Sequence, residues 1–195
     1  WKEWTLPVGG KSRRVYFHQA ILSFSRFKVI GFSLDITTGS IIRFLTEALS
    51  AFGGVPEEIV IDNPRQMIVS HDPSGVVRYQ DDFLLFLGSY GLKPDPCRAY
   101  RARTKGKVEN PFFYLQEHFL RGLEVESLQE LESRLASFMV RYNDRPHTTT
   151  GRAPAERLRD ERLRGLPQPV AFPFALEPRK VSWDARVTPR SWASP

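Results

Sequence analysis

Residues 53–65 read Gly-Gly-Val-Pro-Glu-Glu-Ile-Val-Ile-Asp-Asn-Pro-Arg. Gly53, Gly54 and Pro56 stop a helix: glycine takes the left-handed backbone at a helix end, and proline cannot continue the hydrogen-bond ladder. Ile59, Val60 and Ile61 follow, three β-branched residues in a run too short for a helix. They predict a buried strand over residues 57–61. A helix precedes it, so the strand is expected to lie parallel to its neighbour. It ends abruptly at Asp62-Asn63-Pro64. Ligands of open α/β sheets collect beyond the carboxyl ends of strands, which puts Asp62 where a ligand would be met.

Upstream, Val15, Phe17 and residues 20–24 form one β-rich run and residues 27–36 a second, with Ser25-Arg26 as the break. This pattern predicts an antiparallel hairpin. Ile41, Ile42, Leu45, Ala48, Leu49 and Phe52 then recur at threes and fours, which predicts a helix opened by Thr38-Gly39-Ser40. Downstream, residues 70–78 read as a loop or hairpin. Residues 81–92 read as a short helix with Phe83, Leu84, Leu87 and Tyr90 on one side and Gly91 as its cap. Residues 93–100 carry Pro94 and Pro96 and make an edge strand at best. Val108, Phe112, Leu115 and Phe119 share a helical face, with Pro111 near that helix's first turn. A helix over residues 124–142 presents Leu128, Leu131, Leu135, Phe138, Met139 and Tyr142, and a short basic helix follows over 154–163. Six prolines fall after residue 165. They suggest a core over 1–165, a linker over 166–178 and an extended strand from about 179, the start of a small, incomplete β domain.

The chain has 195 residues, 41% hydrophobic and 26% charged, an ordinary globular balance. Its longest apolar run, Phe83 to Leu87, is far too short to cross a bilayer. Cys97 stands alone, which excludes a disulfide scaffold and a cysteine zinc site and fits a reducing cytoplasm. The net charge of +6 is carried entirely by residues 93–195, and 21 of the 28 basic residues are arginine. Guanidinium groups grip phosphate oxygens in pairs, so this charge suits a phosphate-rich partner and equally a solvated basic surface. Arg98, Arg101, Arg103, Lys105 and Lys107 crowd the approach to Glu109. His18, His71, His118 and His147 have no ligand-like spacing.

The element order suits an α/β fold: a ribonuclease-H-like mixed five-stranded sheet flanked by helices on both faces, with an extended C-terminal segment. Such a sheet can bring a carboxylate at a strand tip, Asp62, towards one at a helix start, Glu109. Hard divalent cations need such oxygen donors. On the residues alone, Asp62 serves equally well as a turn residue, and Glu109 as half of a surface ion pair with Lys105 or Lys107. Asn63 either caps the turn or faces substrate.

Four strings, WTLPVGGKSRRVYFHQAILSFSRF (4–27), GGVPEEIVIDNPR (53–65), RARTKGKVENPFFYLQE (101–117) and SLQELESRLASFMVRYNDRPHTTTGRAPAERL (127–158), occur in this order. Together they resemble the IstA-type bacterial insertion-sequence transposases, members of the integrase catalytic cores of the DDE superfamily. The resemblance implies metal-dependent cleavage of DNA 3′ ends followed by strand transfer. It implies two Mg²⁺ or Mn²⁺ ions held by two Asp and one Glu. The second Asp maps to Asp62 and the Glu to Glu109. The first maps to the position just before Trp1, so the chain as given is expected to be catalytically incomplete; Asp35 is a weaker substitute. The basic run 98–107 is expected to hold DNA phosphates. The implied partners are DNA element ends and target, further copies of the protein in a multimer, and an ATPase helper, in the bacterial cytoplasm at the nucleoid, with no membrane. Two rivals remain at this stage: a nuclease of the same fold, and a non-enzymatic DNA-binding remnant.

Overall fold

The computed structural model describes residues 1–61, 66–71, 77–96, 112–148 and 150–167. It opens on a three-stranded antiparallel meander: β1 (Lys2–Val8), β2 (Lys11–Ile21) and β3 (Lys28–Ser33), in the spatial order β1-β2-β3. Gly9 and Gly10 make the first turn, with φ of 56° and 71°. These left-handed values suit glycine and match the twist of a two-residue hairpin. The second turn is wider than the Ser25-Arg26 break: β2 stops at Ile21, and Arg26 takes a φ of 64°. Trp4, Leu6 and Val8 alternate with the exposed Glu3, Thr5 and Pro7 along β1, which pairs with β2 throughout, from Lys2 opposite Phe17 to Val8 opposite Lys11.

The meander is covered on both faces. β3 shows how, because strand side chains alternate: Val29 joins one buried cluster and Ile30 the other. The first cluster lies under α1 (Thr38–Phe52) and α2 (Asp81–Tyr90), the second under α3 (Phe113–Leu115) and α4 (Leu128–Asp144). α1 is capped by Thr37, whose side chain accepts the Ser40 N–H, and ends at Gly53 with a φ of 74°. α4 starts at Leu128 rather than at 124, because Ser127 accepts the Glu130 N–H and the Glu130 carboxylate accepts the Glu126 N–H. That reciprocal pair fixes the start of the helix.

β4 (Glu58–Ile61) and β7 (Lys93–Pro96) run parallel, with Ile61 opposite Pro96. Among the described residues β7 pairs only with β4, as an edge strand should. β5 (Ile68–His71) and β6 (Val77–Tyr79) form a separate antiparallel hairpin. Among the described residues, the strands of the expected sheet are hydrogen-bonded as a set of three and a set of two.

Four local readings change. β4 is buried on one face only: Ile61 is 5% exposed, but Val60 is 64% exposed. The buried face of α2 is Phe83, Phe86 and Leu87, whereas Leu84 is 55% exposed, about 100° round the helix from Phe83. After Leu115 the helix widens into a π-turn over Gln116–Leu120, where Arg121 N–H bonds Gln116 O across five residues. Leu115 and Leu120, five apart, are therefore both buried, which a 3.6-residue period does not foresee. The expected helix over 154–163 is shorter: α5 (Pro154–Arg157) gives one turn and Leu158–Asp160 a 3-10 turn, and the chain is extended at Glu161. Residues 168–195, with most of the expected linker and all of the expected C-terminal strand, lie outside the described residues.

Candidate active site and its relatives

The parallel pair sets the geometry. β4 and β7 point the same way and stop side by side, Ile61 opposite Pro96. Asp62 is the next residue after Ile61, and the basic run opens two residues beyond Pro96. The chain thus enters both segments from one edge of the structure, the carboxyl edge. Glu109 precedes Phe112 by three residues, and Phe112 packs against the cluster on the α3–α4 face of the meander. Asp62, Asn63, Arg98, Arg101, Arg103, Lys105, Lys107 and Glu109 themselves lie outside the described residues.

A polar network lies at the start of α1. Ser33 donates its hydroxyl hydrogen to Asp35 O and so receives the His18 Nε2–H at 2.7 Å. The Asp35 carboxylate accepts the Thr37 N–H at 3.2 Å and the Thr37 hydroxyl at 2.9 Å. Thr38 Oγ1 donates to Gln66 O at 2.6 Å, tying α1 to the chain beyond β4. Burial works against the Asp35 charge, but hydrogen bonds from Ser40 and Thr37 hold its carboxyl below its ordinary value. Asp35 is thereby engaged in the turn that starts α1. His18 is buried, lies against the Phe44 ring at 5.3 Å, and has its pKa pushed down to about 4 by that burial, with the nearby Arg43 charge adding to it. It is a neutral structural histidine, as its sequence context suggests.

No group of three or more His, Cys, Asp or Glu among the described residues could hold a metal ion. His118 stacks near Tyr114 at 4.4 Å, and the His147 carbonyl accepts the Thr150 and Gly151 N–H groups. Sequence reasoning missed a buried lysine. Lys28 is 5% exposed, with its ammonium 4.1 Å from the Tyr142 ring centre and 5.8 Å from that of Tyr114. Its main chain is held from both sides by Asn143, whose Oδ1 accepts the Lys28 N–H and whose Nδ2 donates to Lys28 O, each at 2.9 Å.

A meander covered on both faces and a parallel strand pair, with helices packed on them, define an α/β protein of the ribonuclease-H-like class. The integrase core domain matches residues 3–102, and the chain belongs to that family. It is 35% identical over 186 residues to the protein assigned as transposase of insertion sequence element IS5376 of Geobacillus stearothermophilus, covering 94% of this chain and 46% of that protein. It is 34% identical to the transposase of IS232 of Bacillus thuringiensis subsp. berliner, over 86% of this chain and 40% of that protein. With the transposase of IS21 of Pseudomonas aeruginosa it shares 29% identity over 96% of this chain and 49% of that one. The chain thus spans about half the length of these relatives. Among solved structures it is similar to the simian T-cell lymphotropic virus intasome in complex with PP2A regulatory subunit B56 gamma. The TM-score is 0.55 at 15% identity, over 87% of this chain and 56% of that one. The HTLV-2 integrase catalytic core domain in complex with magnesium, dimeric form, gives 0.51 at 18% identity, over 80% and 91%. At these identities the two structures speak for the fold.

Proposed function

We propose that this chain is the catalytic core of a DNA transposase that cleaves the 3′ ends of its element and joins them to target DNA. One observation carries the reading. The parallel pair β4–β7 delivers Asp62 and the basic run from adjacent strand ends, in a chain similar to insertion-sequence transposases along nearly its whole length. The donor chemistry fits Mg²⁺ or Mn²⁺: Asp62 and Glu109 offer hard carboxylate oxygens. Two divalent cations held there would supply the Lewis acidity that phosphodiester exchange requires. The residues of the chain do the rest. Arg98, Arg101, Arg103, Lys105 and Lys107 grip backbone phosphates and fix the strand against the acidic residues. Asn63, next to Asp62 in sequence, either caps the turn or contacts the substrate. The polar network around His18, Ser33 and Asp35 keeps α1 and the β4 edge in register.

The whole protein acts as a multimer on DNA ends, with an ATPase helper that selects the target. The HTLV-2 core in complex with magnesium, and the viral intasome, are of the same fold. The test uses the whole protein with a duplex carrying an element end and Mg²⁺. Asp62→Asn and Glu109→Gln are each expected to abolish both cleavage and joining while leaving DNA affinity and melting temperature unchanged. Nicked DNA without joined product from the unaltered protein would indicate a nuclease. Salt-dependent binding with neither product would indicate a remnant.

A further inference from the structure

β2 is longer than the strand beside it. It pairs with β3 from Tyr16 opposite Ser33 to Ile21 opposite Lys28, and with β1 as far as Lys11 opposite Val8. Residues 11–15 of β2 and 4–8 of β1 therefore run past the end of β3 as a two-stranded ribbon. At about 3.3 Å per residue the overhang is about 16 Å. Its direction follows from α1, which lies antiparallel to β3: Phe52 at the end of α1 meets Phe27 at 6.2 Å, and Ser40 near its start bonds Asp35 O. The end of β3, the start of α1 and, through Thr38 and Gln66 O, the chain beyond β4 share one edge. The ribbon projects from that carboxyl edge.

One face of the ribbon is packed. Leu6, Val8 and Val15 are buried in the cluster that holds Leu115, Leu120 and Val125. Gly9 N–H bonds Val125 O at 2.8 Å and Val125 N–H bonds Pro7 O at 3.2 Å, which braces the ribbon up to its turn. Lys11, Ser12, Arg13 and Arg14 are all exposed. Lys11 and Arg13 make no ion pair among the described residues, and Arg14 meets Glu3 at 3.2 Å in a water-exposed pair that exchanges at little cost. Beyond Ser33 no strand lies beside β2 among the described residues, so main-chain N–H groups on that edge are open as well. Side chains alternate along a strand, so the three cations spread along the ribbon and to both sides of it. That spread suits a linear polyanion rather than a single anion.

We propose that the β1–β2 ribbon is a DNA-binding surface separate from the run 98–107, on which Lys11, Arg13 and Arg14 hold backbone phosphates of the duplex where it extends past the carboxyl edge. The inference rests on the reading given under Proposed function for its partner, DNA. Such contacts set the register of the duplex without reading its sequence, and each phosphate neutralised adds about 0.9 to the salt slope of binding. Because the ribbon is braced, little ordering is needed when DNA arrives.

The experiment measures affinity against salt for the whole transposase, on duplexes with and without an element end, together with melting temperature and cleavage. Lys11→Gln with Arg13→Gln is expected to make the slope of log K against log salt shallower by about 1.8, at unchanged melting temperature. A loss confined to the end-bearing duplex places the element end on the ribbon; an equal loss on both places target DNA there. Arg159→Gln with Arg162→Gln removes the same charge from exposed positions of the segment 154–164 and is the matched control. A ribbon slope that is unchanged, or changed no more than in the control, overturns the proposal. The single variants, each expected to lose about 0.9, repeat the measurement should the pair not fold; failure of these to fold also overturns it, in favour of a structural role. If Asp62→Asn abolishes cleavage and the ribbon pair leaves the slope alone, only this inference fails. If the slope depends on the ribbon and the unaltered protein neither cleaves nor joins, the ribbon stands and the catalytic reading fails.

Discussion

The two ends of β4 are built differently. At its start the structure is sewn shut. Val55 and Arg164 exchange main-chain hydrogen bonds, each 2.9 Å, and Arg164 Nη2 donates to the carbonyls of Pro56, Tyr90 and Gly91. Nearby the Glu161 carboxylate takes the N–H of fully buried Ser25, Arg157 lies over the Phe24 ring, and Asn143 clamps Lys28. Five parts of the chain (the β2–β3 turn, the end of α1, the start of β4, the end of α2 and residues 154–164) are tied there. At the other end β4 stops at Ile61 beside Pro96, and the start of α1 holds a network of side-chain hydrogen bonds that includes a buried histidine. The closed end carries stability through main-chain partners; the open end is where the proposed chemistry falls, and the network at the start of α1 answers to pH. Changes at the closed end should alter folding, and changes among the acidic residues should alter catalysis alone.

The largest stability effect is expected at Asn143. Its side chain acts as a strand neighbour for Lys28, whose N–H and C=O would otherwise be buried without partners. Asn143→Leu removes both bonds, and two orphaned main-chain groups cost about 2–4 kcal/mol. Urea denaturation reads this as a lower midpoint at unchanged slope. Asn143→Asp keeps the acceptor and should cost about half as much. A loss below about 0.5 kcal/mol for the leucine variant would show that water replaces the clamp, and that the closed end is less closed than its hydrogen bonds indicate.

The sequence makes the open end easier to foresee than the closed one. Ile59-Val60-Ile61 followed by Asp62 announces a strand and its tip because both signals are local. The Ser127–Glu130 pair that starts α4 is also written locally, as Ser-Leu-Gln-Glu, yet the apolar stripe from Leu128 draws attention away from it. Asn143 and Lys28 are 115 residues apart, and Ser25 and Glu161 are 136 apart. No periodicity can join such partners, because the contact exists only once the sheet and α4 have docked. The exposed Val60 was unforeseeable for the same reason: a β-branched run specifies a strand, while burial of each face depends on which layers arrive. The catalytic assignments came from family strings rather than from physics, since an Asp before Asn-Pro is equally a turn residue.

The network at the start of α1 should respond to acid. His18 has a folded pKa of about 4 against about 6.5 when unfolded, so the unfolded chain binds the extra proton first. The stability gained by keeping the ring neutral is complete above about pH 6.5 and is lost as the pH falls towards 4. The full span is worth about 3 kcal/mol as an upper bound. His18→Gln preserves a donor towards Ser33 and removes the proton-binding site. Unfolding free energies between pH 7 and pH 4 should fall less steeply in the variant than in the unaltered protein. Parallel slopes would move the acid sensitivity elsewhere and leave the two ends of β4 alike in this respect.

The smallest expected effect is at Arg164, and it tests the division between the ends most directly. Its guanidinium reaches three carbonyls from two turns of chain, at 2.8 to 3.3 Å, but it is exposed, so water can replace much of what it gives. Arg164→Met keeps the aliphatic stem and should cost about 1 kcal/mol. Arg164→Lys should recover little of this, since one ammonium on a flexible stem does not match three carbonyls fixed around a planar fork. Neither variant touches the main-chain bonds to Val55, so the strap should persist, with a melting temperature lower by about 2–4 °C. DNA cleavage per folded molecule should be unchanged in both. A loss of cleavage without a loss of stability would mean that the latch at the start of β4 is felt at its end, and that the parallel pair acts as one rigid lever rather than as a boundary between two independent regions.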